Sequence, residues 1–477
     1  MSDNARPSNW RPGRRASDRA RNAVFDVLMD VYVDGAYANL VLPKITSVRH
    51  FSKQDAAYAT NLCYGTLRLQ GRWDAILAHC ISNRRISEID TAVLALLRMG
   101  THQLLEFRTP PHAAINETVM LTRNRVGTGA SGFVNAVLHR VSERSVNEWM
   151  DVLVQDAGGK RNTVAFLAAW YSQPRWIIRA LDQALKANGR AHKDLISVLE
   201  SVNTPAQVAL AARGISVSEL IDDIERGKMA GRPGELVDSA VILDAGDPGH
   251  VFAVQDRLAG VQDEGSQLVA RALAGAPIVG EDSLWLDMCA GPGGKTATLA
   301  AIATKRGARI HANELHPHRL DLVEQATEPW RRIVATRQGD GRELGDEEPL
   351  MYDRVLIDAP CTGIGALRRR PEARWNKDAG DAINLAKLQG ELLESGWKAV
   401  RPGGIIAYST CSPYLRETHD VIDSFAQRHE EAELLDTASI AGAQALMALN
   451  SPNQYLQLWP DLHNSDAMFL SVIRKPQ

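Results

Sequence analysis

The sequence predicts an α/β protein in which a doubly wound parallel sheet follows an all-helical domain. Three observations carry this reading. Apolar residues repeat at helical spacing from 17 to about 143, as in Val24, Val27, Leu28 and Val31 and again in Ala92, Val93, Leu96 and Leu97. From Asp263 onward, short apolar runs alternate with longer amphipathic stretches, as strands joined by crossover helices do. The chain has 477 residues, 45% of them hydrophobic and 23% charged, which suits about three folded units and excludes disorder, collagen or a disulfide scaffold.

In chain order, residues 1–16 form a basic arm, and the first 22 residues hold six arginines against Asp3 and Asp18. No apolar core follows as in a secretory leader, and no run approaches the ~20 apolar residues of a bilayer span, so a cytoplasmic, membrane-free protein is expected. Residues 17–146 are the helical domain. Residues 147–250 form a connecting subdomain with amphipathic signals over 164–187, a turn at Pro205 and a run rich in glycine and aspartate over 231–249. Residues 251–477 are the sheet domain, with strands expected at 284–288, 309–312, 333–336, 354–357, 404–408, 433–435 and 468–473.

The balance of 54 Lys plus Arg against 57 Asp plus Glu, a net charge of −3, excludes a uniformly basic nucleic-acid-binding body. Contact with nucleic acid would need local patches, and residues 368–377 hold five bases against one acid. Cys63, Cys80, Cys289, Cys361 and Cys411 form no C-x-x-C pair, so reduced thiols are expected and no metal site. Cys63 and Cys80 lie in helical sequence and read as core.

In an open α/β sheet the ligand crevice lies beyond the carboxyl ends of the strands, so the residues there are informative. After the first strand come Cys289, Ala290, Gly291, Pro292, Gly293, Gly294 and Lys295, a glycine-rich turn opening a helix whose N-terminus offers free N–H donors. Gly294-Lys295-Thr296 matches the end of a triphosphate-binding loop, but Cys289 stands where that loop needs its first glycine. A nucleoside without a triphosphate fits better, with Glu314, after the second strand, accepting from both ribose hydroxyls. Asp340 follows the third strand. Asp358-Ala359-Pro360-Cys361 ends the fourth and Ser409-Thr410-Cys411-Ser412 the fifth, so two thiols can converge on one crevice.

These motifs, with Val261-Gln262-Asp263-Glu264-Gly265-Ser266-Gln267-Leu268 and 367–375, resemble the S-adenosyl-L-methionine-dependent RNA cytosine-5 methyltransferases of the RsmB (Fmu, Sun) type, over about 261–474. Residues 17–145, notably Phe133-Val134-Asn135-Ala136-Val137-Leu138, resemble the NusB-type RNA-binding domain that precedes the catalytic domain there. The resemblance implies a Rossmann-type class I methyltransferase domain behind an all-α NusB-like domain. It further implies that the Cys411 thiolate adds to cytosine C6, that Asp358 holds the N3/N4 edge, and that Cys361 assists release. Residues Cys289 to Lys295 would hold the methionine end of the cofactor, Glu314 its ribose and Asp340 its adenine amino group, with Asp358 near the transferred methyl. The implied partner is ribosomal RNA of the small subunit offering an unpaired cytosine to a monomeric enzyme. A transfer-RNA substrate, or a noncatalytic assembly factor with the same fold, are the alternatives. In this light residues 368–377 read as phosphate contacts, with Arg374 and Trp375 stacking on a base. The chain departs from the family pattern at Gly291, usually alanine, in a divergent segment over 217–251, and at His463-Asn464-Ser465-Asp466-Ala467-Met468-Phe469, where His-Gly-Thr-Asp-Gly-Phe-Phe is more familiar.

Overall fold

A computed structural model of the chain describes residues 18–107, 109–442 and 454–477; the basic arm, residues 1–16, lies outside them. Two units are distinguished, one comprising the residues up to Arg179 together with Arg369–Asn376, the other Ala180–Arg368 with Lys377–Gln477.

In the first unit, helices start where a short polar side chain caps them. Asp18, Ser52, Asp90 and Ser145 accept backbone N–H groups in the first turns of helices Arg19–Asp34, Lys53–Arg68, Thr91–Leu105 and Val146–Asp156. Val24, Phe25, Leu28, Leu62, Ala95, Leu96 and Met99 from these helices share one core, which is why the apolar positions recur every three or four residues. Cys63 and Cys80 are buried, as the helical pattern predicts.

The second unit contains two sheets. A four-stranded antiparallel sheet is formed by β1 (Val208–Ala212), β2 (Gly231–Pro233), β3 (Ala240–Leu243) and β4 (Ala259–Val261) in the order β2-β3-β1-β4. Helix Val217–Arg226, started by a Ser216–Glu219 capping box, packs Leu220 and Ile224 with Leu210, Val241 and Leu243. The run rich in glycine and aspartate thus holds two strands that its composition masks.

The larger sheet comprises β5 (Leu284–Asp287), β6 (Arg309–Glu314), β7 (Val334–Gln338), β8 (Tyr352–Asp358), β9 (Val400–Thr410), β10 (Glu433–Leu434), β11 (Tyr455–Gln457) and β12 (Phe469–Arg474). Its order is β10-β12-β9-β8-β5-β6-β7, with β11 also on β12; strands β5 to β9 are parallel and the last three antiparallel. All seven expected strand regions hold strands, and β11, only three residues long, adds an eighth. The mixed edge differs from an all-parallel expectation because β12 runs antiparallel to each of its neighbours β9, β10 and β11. Successive residues of the central strands alternate between two buried layers: Trp285, Leu356, Ile405 and Ala407 on one face, Leu286, Val355, Ile357, Ile406 and Tyr408 on the other. Burial on both faces explains why these strands read as continuous apolar runs. The chain winds from β5 through β6 to β7 on one side and resumes at β8 beside β5, so the switch point lies between β5 and β8.

Candidate active site

The paired thiols come together because their strands are neighbours. β8 and β9 are parallel with Asp358 opposite Ser409, so the loops leaving their carboxyl ends start side by side. The Cys361 and Cys411 sulfurs lie 3.4 Å apart. Gly365 makes that approach possible: its N–H donates to the Cys411 carbonyl at 3.0 Å, where a side chain would collide with the Cys411 and Ala467 carbonyls. The Cys361 thiol is held well above its ordinary pKa by its hydrogen bond with Cys411 and by burial, with the negative charges of Glu417 and Asp358 adding to the effect.

Asp358 is fixed from two sides. Lys295 Nζ donates to Oδ2 at 2.8 Å, and the Ser409 hydroxyl donates to Oδ1 at 3.0 Å. Burial pulls the Lys295 ammonium down, but the charge and hydrogen bond of Asp358, with Cys411 and Asp287 nearby, outweigh it and leave Lys295 above its ordinary value. Lys295, expected in the cofactor turn, therefore joins that turn to the thiol site.

The glycine-rich turn runs from the end of β5 into helix Gly294–Arg306. Gly293 enters that helix at φ +96°, a left-handed conformation open to glycine. Glu314, nearly fully buried at the end of β6, accepts the Gly291 N–H and the His316 N–H, each at 3.0 Å, and faces Arg319. A Cβ on residue 291 would strike that carboxylate, so glycine in place of the more familiar alanine lets Glu314 rest on the turn. Asp340, beyond β7, is bound by Arg342, whose guanidinium and backbone N–H hold its carboxyl below the ordinary range. The β5-β6-β7 order sets the turn, Glu314 and Asp340 in a row along one rim of the sheet. Asp287, at the end of β5, is buried and its pKa is pushed up to about 7 by burial, against hydrogen bonds from Thr296 and the Cys289 N–H and the charge of Lys295, with Asp358 adding to the rise. Its Oδ1 has no hydrogen-bond partner, which leaves an acceptor at the head of the turn. Cys289 is partly buried, and burial pushes its thiol well above the ordinary value. Among the described residues, no group of three His, Cys, Asp or Glu side chains is placed to hold a metal ion, and no helix is long and apolar enough to cross a membrane.

The basic run at 368–377 is not the continuous surface that the sequence reading expects, because Arg368 and Arg374 are buried. Arg374 is fully buried in the helical unit, where Nη1 donates to the carbonyls of Arg68 and Ser172, both at 2.9 Å. Glu372, also buried, accepts the Ala38 N–H at 3.2 Å. Arg368 donates to the side chain and carbonyl of Asn464 at 3.0 and 2.8 Å. Only Arg370 and Lys377 of the five bases are exposed; the guanidinium donors of Arg368 and Arg374 satisfy carbonyls instead, so Arg374 has no face on which a base can stack. Trp375 is exposed on one side and has its ring against Gly71. Asn464 stands where the more familiar run has glycine and adopts φ +49°, a left-handed conformation that asparagine tolerates.

The sequence reading passed over Glu417. It is fully buried and lies beyond the Thr-Cys-Ser motif in what reads as a polar surface run, Arg416-Glu417-Thr418. Its carboxyl accepts from Thr362 N–H at 2.7 Å, the Thr362 hydroxyl at 2.5 Å and the Ser412 hydroxyl at 2.6 Å, and burial pushes its pKa up despite those bonds. The one sequence cue is the acid six residues after Cys411.

Comparison with known proteins agrees with this architecture. Residues 276–474 match the family described as 16S rRNA methyltransferase RsmB/F, and residues 18–143 match the NusB family. A Mycobacterium tuberculosis protein, Rv1407, described only as a methyltransferase, is 43% identical over 470 residues, covering 98% of this chain and 99% of its own. Ribosomal RNA small subunit methyltransferase B of Yersinia pestis is 28% identical over 428 residues, 88% of this chain and 93% of its own. Among solved structures, PH0851 superposes with a TM-score of 0.79 at 20% identity, covering 97% of this chain and all of that one. NSun6 from Pyrococcus horikoshii, crystallised with SFG, gives 0.53 at 16% identity over 64% of this chain and 98% of that one.

Proposed function

The chain belongs to the RsmB/F family of RNA methyltransferases, and from that premise we propose that it methylates C5 of an unpaired cytosine in small-subunit ribosomal RNA through a covalent bond from Cys411 to C6. The observation that carries this reading is the pair of thiols 3.4 Å apart beside a carboxylate held by a lysine. Two free cysteines side by side at the ends of adjacent strands suit cytosine-5 chemistry, which needs one thiol to form a bond and a second group to help break it.

S-Adenosyl-L-methionine, when bound, supplies the electrophilic methyl group. The residues present fit it: the Gly291–Lys295 turn and the unpartnered Asp287 oxygen suit the methionine end, Glu314 the ribose diol and Asp340 the adenine amino group. Cytosine C5 is too weak a nucleophile to accept a methyl group unaided. Addition of the Cys411 thiolate to C6 places electron density on C5 and on the N3 edge, and Asp358 holds that edge while Lys295 fixes Asp358 in position. After C5 is methylated its proton leaves, the C6–S bond breaks, and Cys361, adjacent to the bonded sulfur, assists that release. Residues 17–146 serve RNA binding, 147–250 connect, and 251–477 carry the chemistry. The bacterial ribosomal RNA methyltransferases among the relatives support a cytoplasmic site of action.

The test is a denaturing gel of wild type, Cys361→Ala and Cys361→Ala/Cys411→Ala, each incubated with S-adenosyl-L-methionine and ribosomal RNA. A protein–RNA band that accumulates in the single variant and vanishes in the double one is the expected result. A band persisting without Cys411 overturns its assignment. Absence of both adduct and methyl transfer across naked ribosomal RNA, subunit precursors and transfer RNA favours a noncatalytic assembly factor.

A further inference from the structure

We propose that Glu417 is the positioning residue of the two-thiol site, a buried side chain that ties the Cys361 loop to the Cys411 loop and so sets the distance between the sulfurs. The inference rests on the cysteine roles above and extends them to a residue that touches neither thiol. One oxygen, Oε1, accepts the Thr362 N–H, the backbone donor next to Cys361. The other, Oε2, accepts the hydroxyl of Thr362 and that of Ser412, the residue next to Cys411. Each thiol is thus one residue from a group bound by the same carboxyl.

Glu417 is itself anchored. The Tyr408 hydroxyl, from β9, donates to its carbonyl at 2.8 Å, and Gln389, from helix Ala379–Ala399, donates to the Pro360 carbonyl at 2.8 Å and reaches toward Oε1 at 3.5 Å. Glu417 itself belongs to the Leu415–Glu417 turn that follows Cys411, and a strand and a helix brace it there. A buried carboxyl that collects three donors from two loops restrains both, because any donor left unmet in the interior would carry its full desolvation penalty. Its negative charge also bears on Cys361, whose thiol the surrounding burial and charge keep protonated. The geometry nevertheless assigns Glu417 by its reach: it spans the two loops, and a shorter acid would not.

Two substitutions separate reach from charge. Glu417→Gln keeps the length; its carbonyl oxygen serves the Thr362 N–H, and its NH2 donates to the two hydroxyls, which can turn and accept. Glu417→Asp keeps the charge but retracts the oxygens by one methylene. Each full-length variant is treated with diamide, which takes two electrons and two protons from the pair and becomes the hydrazine as the Cys361–Cys411 disulfide forms. The cross-linked peptide is followed by mass spectrometry. Melting temperature and S-adenosyl-L-methionine affinity are measured on the same samples, and methyl transfer to ribosomal RNA is measured separately.

The expected result is rapid cross-linking in wild type, a rate within threefold of it for Glu417→Gln, and at least a tenfold slower rate for Glu417→Asp with cofactor affinity unchanged. In methyl transfer, kcat falls about 100-fold for Glu417→Asp with the cofactor KM unmoved, the scale of a misplaced reacting group. Glu417→Gln impaired as much as Glu417→Asp assigns the effect to charge and overturns the proposal. So does a Glu417→Asp that cross-links at the wild-type rate, one that loses cofactor binding and folding in the same proportion, or a wild type that does not cross-link. If no RNA is methylated by wild type while the cross-linking order holds, the cytosine-5 reading fails and the positioning role stands.

Discussion

Arg374 offers a direct test of whether the basic run at 368–377 is structural. Its guanidinium lies fully buried in the helical unit and donates from one nitrogen to the carbonyls of Arg68 and Ser172. Arg374→Met preserves most of the aliphatic volume and removes both donors. Hydrogen bonds from a charged donor contribute about 1.5–3 kcal/mol each, so their loss amounts to about 3–6 kcal/mol. Part of this is offset, because burial disfavours the cation and pulls its pKa down to about 9. A net destabilisation of about 2–4 kcal/mol is expected, the scale of leaving two buried carbonyls without donors. Hydrogen exchange of the full-length protein reads the effect directly, as lost protection in helices Lys53–Arg68 and Gln70–Cys80. RNA binding is measured in parallel across a salt series. A buried guanidinium releases no counterion, so the slope of log affinity against log salt stays as in wild type, whereas loss of a phosphate contact lowers it by about one. Unchanged protection together with a slope smaller by one would falsify the buried-clasp account and restore the phosphate-contact reading.

The other expectations follow from the crevice. Glu314→Gln should weaken S-adenosyl-L-methionine binding by tenfold or more, measured by calorimetry, and an unchanged dissociation constant removes Glu314 from the ribose. Lys295→Met strips Asp358 of its cation, so methyl transfer should fall by about 100-fold or more; activity within threefold of wild type contradicts the Lys295–Asp358 arrangement. Asp287 binds its proton up to about pH 7 in the folded state and only to about pH 4 in the unfolded chain. The folded state therefore holds the extra proton between those values, and stability declines as pH rises through that window by about 1.4 kcal/mol per unit. Asp287→Asn should flatten the decline, as thermal unfolding at pH 5 and pH 7.5 would show; an unaltered decline assigns it to other groups.

The sequence by itself determined the class of fold, because apolar period alone separates helices that bury one stripe from strands that bury both faces. It also placed the glycine turn, Glu314, Asp340, Asp358, Cys361 and Cys411 at strand ends, since those positions need only strand boundaries to be read. Which strands are neighbours was not legible. That Cys361 and Cys411 meet depends on β8 lying beside β9, a pairing of residues some 50 positions apart that no local pattern encodes. Charge misled for the same reason: five bases in ten residues look like a surface, and only the three-dimensional arrangement shows Arg374 closing on two carbonyls of the helical unit and Arg368 on Asn464. Glu417 was invisible as one acid in a polar run until burial and three converging donors distinguished it. Local spacing records which residues share a face of one element, whereas the partners of a buried polar group are set by long-range packing, and there the tertiary structure alone decides.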